Sequence, residues 1–105
     1  MARFDVFRNE QAPGNKRFPY LLAVQSDLLE ELCTCVVVPL GRASVVAGKS
    51  MDKLMPTLEL DGAGWVMYTP ELAAIPAGAL RQRVGNLQEQ SHAILCALDF
   101  LFSGI

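Results

Sequence analysis

The sequence predicts a mainly β, α+β fold: a mostly antiparallel barrel or sheet with a single C-terminal helix. Three observations lead there. Short apolar segments of strand length recur between turn signals, a glycine-bearing connection at Gly62-Ala63-Gly64 separates two of them as in a hairpin, and only the segment from Asn86 onward keeps helical periodicity. At 105 residues the chain is expected to form one domain, 1–105, with a real core. A domain of that size still leaves about a third of its unfolded-chain surface uncovered. With 51% hydrophobic residues, a second copy of the chain is the simplest cover, so a homodimer is expected.

Arg3-Phe4-Asp5-Val6-Phe7 alternates polar with apolar and reads as a first strand with one buried face. Asn9 to Lys16, containing Pro13-Gly14, is a turn-rich loop, and Phe18 to Gln25 is a second, more apolar strand; the pair makes a hairpin with a long exposed tip. Ser26 to Glu31 breaks the extended pattern with turn-forming and capping residues. Leu28 and Leu29 stand out as apolar in this short polar connector. A third strand spans Thr34 to Leu40, and Pro39 near its end implies an edge or a bulge. Gly41 to Lys53 is ambiguous, with Ala43 to Val46 a candidate short strand. Pro56 to Asp61 and Trp65 to Thr69 form the clearest hairpin, and Glu71 to Ala74 is a single helical turn or a strand.

Asn86 with Glu89 three residues on predicts a capping box at the start of the helix, and Gly104 supplies its left-handed stop. At about 100° per residue Leu87, Ile94, Ala97, Leu98 and Leu101 share a core face, flanked by Leu95 and Phe102. Phe100 and Cys96 fall on the opposite side among Glu89, His92 and Asp99, which implies a second surface for a subunit or partner.

Several function classes are excluded by what the chain lacks. Net charge is -2, and Lys16-Arg17 and Arg81-Gln82-Arg83 make no patch, so the chain is not expected to hold nucleic acid by itself. His92 is the only histidine and reads as a solvated surface group, so no His-based acid–base pair forms within one chain. Cys33, Cys35 and Cys96 lack the spacing of a disulfide framework or a redox pair and read as small packing groups, with no metal or cofactor expected. No nucleophile, phosphate-loop or metalloprotease motif is present, and the chain does not read as an enzyme. Arg3, Asp5, Arg8 and Glu10 interrupt any leader, and the charge-free stretch Leu32 to Gly41 falls well short of the roughly 18 residues of a membrane span. A cytoplasmic location with no membrane partner is the expectation.

Val24-Gln25-Ser26-Asp27-Leu28-Leu29, Val38-Pro39-Leu40, Pro56-Thr57-Leu58, Ala74-Ile75-Pro76 and the closing Phe102-Ser103-Gly104-Ile105 resemble, in that order and over nearly the whole chain, the CcdB toxins of bacterial toxin–antitoxin pairs. The resemblance implies a homodimeric SH3-like β-barrel that is not an enzyme. It implies binding to the dimerisation region of the DNA gyrase A subunit and trapping of the complex in which gyrase is joined to cleaved DNA. By position, the implied gyrase-binding residues are Leu28, Leu29, Asp99, Phe102, Ser103, Gly104 and Ile105. A cognate antitoxin is implied to cover the same surface as a disordered segment that folds on binding, and to supply the DNA contacts when the pair represses its own operon. Some members carry tryptophan immediately before the terminal Gly-Ile where this chain has Ser103, which leaves Phe102 as the candidate anchor. Alternatives are a homologue that no longer poisons gyrase, and an endoribonuclease toxin on the same barrel, for which the chain offers only scattered Arg17, Arg42, Arg81 and Arg83 and the single histidine of the helix.

Overall fold

Strands covered on both faces read as continuous apolar runs rather than as alternation, and Tyr20-Leu21-Leu22-Ala23 and Val36-Val37-Val38 are such runs. The computed structural model describes residues 1–11, 13–29, 31–42 and 49–104. The candidate strand Ala43 to Val46, together with Glu30 and Ile105, lies outside the described residues.

The strands are β1 (Asp5–Arg8), β2 (Tyr20–Ala23), β3 (Thr34–Arg42), β4 (Thr57–Leu60), β5 (Ala63–Met67), β6 (Ala73–Pro76) and β7 (Arg83–Asn86). The helices are α1 (Lys49–Leu54) and α2 (Ser91–Ser103). All described pairings are antiparallel, in the order β4-β5-β3-β2-β1-β7, with β6 on the same edge of β3 as β5. The sheet curls into a half-barrel. One face of β1, β2 and β3 supplies Val6, Leu22, Val38 and Leu40, which pack with Leu58, Met67, Ile94 and Ala97 into the core beneath α2. The other face supplies Phe7, Leu21, Cys35 and Val37 to a second cluster covered by Ile75 and Leu80. Cys35 is thus a packing group as expected, and burial pushes its thiol pKa up. Cys33 precedes the strand and is exposed, against the expectation that it packs.

The predicted mainly β fold with a C-terminal helix is present, and four local expectations need correction. Pro39 is not on an edge strand: β3 is central, and Pro39 sits where its partner changes from β6 at Val37 to β5 at Leu40. There its carbonyl accepts from the Tyr68 N–H at 3.0 Å, and its missing N–H interrupts no ladder. The β4–β5 hairpin turns at Asp61-Gly62, since Leu60 pairs with Ala63. Both turn residues have positive φ, 52° and 80°, as a two-residue type I′ turn requires. Asn86 ends β7, a strand absent from the expectation, and no capping box forms. Its Oδ1 accepts from the Gln88 N–H at 2.8 Å and opens a 3-10 turn, Gln88–Gln90, that leads into α2. Finally, α1 lies against α2 with Lys53 Nζ 5.2 Å from the Phe100 ring centroid. Phe100 is therefore half-buried against its own chain rather than held out for a partner.

No helix of the described residues is long and apolar enough to cross a membrane.

Candidate functional site

The connector between β2 and β3 is held by polar side chains, and that is what drives its leucines outward. Gln25 spans it: Oε1 accepts from the Val36 N–H at 3.1 Å, while Nε2 donates to the carbonyls of Thr34 at 3.1 Å and Leu29 at 3.4 Å. Ser26 Oγ accepts from the Leu28 N–H at 3.2 Å, and Asp27 accepts from the backbone N–H of Arg3. With Gln25, Ser26 and Asp27 turned toward the protein, the 3-10 turn Asp27–Leu29 leaves Leu28 92% and Leu29 48% exposed. Leu32, in the same connector and absent from the expected site, is 51% exposed; the signal of an apolar residue among polar neighbours extends to it. Burying a leucine is worth about 1.5–3 kcal/mol, so such display costs stability unless a partner covers it.

The C-terminal end of α2 displays apolar surface by different means. Ile94 and Ala97 are fully buried, and Leu98 and Leu101 are half-buried. Phe102 and Leu95, seven residues apart along one flank, are 71% and 37% exposed, so this flank stays outside the core it was expected to border. Gly104 closes the helix at φ 75°, with its N–H donating to the Phe100 carbonyl at 3.0 Å, the left-handed stop that the sequence predicts. Asp99, Ser103 and Gly104 are exposed beside Phe102, and Ile105 lies outside the described residues. No hydrogen bond, ion pair or ring contact joins the connector to α2 among the described residues.

Both regions are tied to the start of β1. Phe4 is buried with φ 70°, a strained value for a bulky residue. Its N–H donates to the Ala23 carbonyl at 2.7 Å, and its carbonyl accepts from the Leu87 N–H at 2.9 Å. Asp5 is buried beside it and accepts from the Ala2 N–H at 2.8 Å, Arg83 Nε at 2.8 Å and Asn86 Nδ2 at 2.9 Å. Burial alone would raise its pKa; these donors outweigh it and hold the carboxyl below its ordinary value.

The four arginines of the ribonuclease alternative are not gathered around a base. Arg83 is bonded to Asp5, and Arg81 lies 4.0 Å from Glu10. Arg17 lies over Phe18 and Tyr68, Arg42 over Trp65, and His92 is exposed on α2. Among the described residues no group of three or more His, Cys, Asp or Glu side chains is arranged to hold a metal.

Comparison with known proteins matches residues 3–104 to the family described as CcdB protein. The chain belongs to the CcdB family. Among solved structures it is similar to an endoribonuclease in complex with its cognate antitoxin from Mycobacterial species, with a TM-score of 0.74 and 16% identity over 94% of this chain and 91% of that one. At that identity the likeness establishes the shared half-barrel fold with its C-terminal helix, and CcdB membership accounts for the order of motifs along the sequence.

Proposed function

We propose that this CcdB-family chain is the toxin of a toxin–antitoxin pair, a homodimer that binds the DNA gyrase A subunit and holds gyrase in its DNA-cleaved state. The observation that carries the reading is the display of Leu28 and Phe102, 92% and 71% exposed, at the two places the family pattern assigns to gyrase binding. Leu28, Leu29, Asp99, Phe102, Ser103, Gly104 and Ile105 form the binding surface. Phe102 is its anchor, in place of the tryptophan that Ser103 replaces.

The toxin catalyses nothing. By binding the cleaved state of gyrase more tightly than the resealed one, it shifts the population toward broken DNA in proportion to that difference in affinity. A cognate antitoxin, disordered until bound, covers the same leucines and phenylalanine and so competes with gyrase. The net charge of -2 supports leaving the DNA contacts of the repressing complex to the antitoxin.

The endoribonuclease reading rests on likeness of fold, and since Arg17, Arg42, Arg81, Arg83 and His92 each lie against other partners, no acid–base site is assembled from them among the described residues. The purified protein, incubated with gyrase, ATP and supercoiled plasmid and then treated with detergent and protease, is expected to yield linear DNA. Intact plasmid at concentrations well above micromolar would overturn the reading in favour of a non-poisoning homologue or a ribonuclease, which cleavage of RNA by the same preparation would separate.

A further inference from the structure

The face of α2 opposite Ile94 carries His92 and Cys96, neither of which has a part in the binding surface above. His92 is exposed, and Cys96 is half-buried with a free thiol. One helical turn separates them, which brings their side chains together on the outer face. Cys96 Sγ lies 3.6 Å from His92 Nε2. With zinc–sulfur near 2.3 Å and zinc–nitrogen near 2.0–2.1 Å, the two donors of a tetrahedral site stand about 3.6 Å apart. The helix thus holds the two donors at the separation a chelate needs.

We propose that His92 and Cys96 form a two-donor site for a thiophilic divalent cation of the zinc class. An imidazole nitrogen and a thiolate select zinc or cobalt over magnesium or calcium, which prefer oxygen. The thiol proton leaves to solvent as the metal–sulfur bond forms, and no electron is transferred. No third His, Cys, Asp or Glu joins the pair among the described residues, so water completes the coordination. No metal is expected from the sequence because the cysteines lack framework or redox spacing and His92 is the only histidine; the helical spacing of His92 and Cys96 is a separate signal.

Titration of the reduced full-length protein with Co2+, a spectroscopic stand-in for zinc, tests the site. A near-ultraviolet thiolate-to-cobalt charge-transfer band should saturate, and Zn2+ should bleach it by competition. His92→Ala and Cys96→Ser should each weaken Co2+ binding about tenfold or more, while Cys33→Ser leaves the band unchanged. His92 is exposed, so His92→Ala should keep the wild-type melting temperature and decides the matter even where Cys96→Ser perturbs folding. No band at a large excess of Co2+ would overturn the proposal and leave an S–H···N hydrogen bond as the meaning of the contact. A band lost in Cys33→Ser but kept in Cys96→Ser and His92→Ala would overturn it equally.

Discussion

The connector and the end of α2 both present large apolar side chains to solvent, but they are built from opposite materials. In the connector, side chains do the holding: Gln25, Ser26 and Asp27 bond to backbone groups and Leu28 is left outside. At the end of α2 the backbone does it, through helical geometry and the left-handed Gly104. A side-chain scaffold is broken by single polar substitutions, whereas a helical one tolerates changes to the displayed residue itself. The two meet at Arg3 to Asp5, where Phe4 is bonded to Ala23 before the connector and to Leu87 before α2.

The largest expected effect therefore comes from that shared anchor. Asp5→Ala removes the acceptor for Arg83, Asn86 and the Ala2 N–H in a buried setting. It should cost about 3 kcal/mol in urea unfolding and loosen both regions together, visible as faster amide exchange in each. Phe102→Ser should separate them. On the proposed function, losing an anchor of about 2 kcal/mol should weaken gyrase-dependent DNA cleavage roughly thirtyfold, while chemical denaturation should shift by less than about 0.5 kcal/mol. Gln25→Ala should cost about 1–2 kcal/mol and raise exchange in the connector without affecting α2, since three contacts at 3.1–3.4 Å are lost.

Gly104→Ala is the smallest of the mutational effects, about 1 kcal/mol from a Cβ at φ 75°, confined to the last turn of α2. Acid acts on the anchor in the same sense as Asp5→Ala. Because the Asp5 pKa is lower in the folded than in the unfolded chain, its contribution is complete above about pH 3.9 and falls away as pH drops through the depressed value. Acid unfolding curves of Asp5→Asn should lose that component of the slope.

Strands whose apolar residues run together or alternate are legible in the sequence; β7 is not. Arg83-Val84-Gly85-Asn86 offers one apolar side chain, and a Cβ on Gly85 would lie 2.9 Å from Leu60 Cδ1, which the end of the Leu60 side chain would have to move to admit. Asn86 misleads for a related reason. An Asn side chain that accepts a backbone N–H two residues on serves an Asx turn as well as a helix cap, and only Asp5 and Arg3, distant in sequence, show which one it serves. The Asp61-Gly62 turn is legible, because Asp-Gly is a type I′ signal, but Gly64 beyond it extends the glycine pattern past the true turn. For the candidate site, Leu28 and Leu29 were visible as apolar residues in a polar connector. On the helical wheel Phe100 points outward and Phe102 borders the core, and the structure reverses the two. A helical wheel has no knowledge of α1, which takes Phe100 and leaves Phe102 outside.

Calorimetric titration of the gyrase A dimerisation region with the wild-type chain and with Phe102→Ser tests the central claim most directly. Saturable binding of the wild type, weakened roughly thirtyfold in the variant at unchanged melting temperature, is the expected result. Equal binding by both, or none by either, would contradict the assignment of the exposed end of α2 to gyrase.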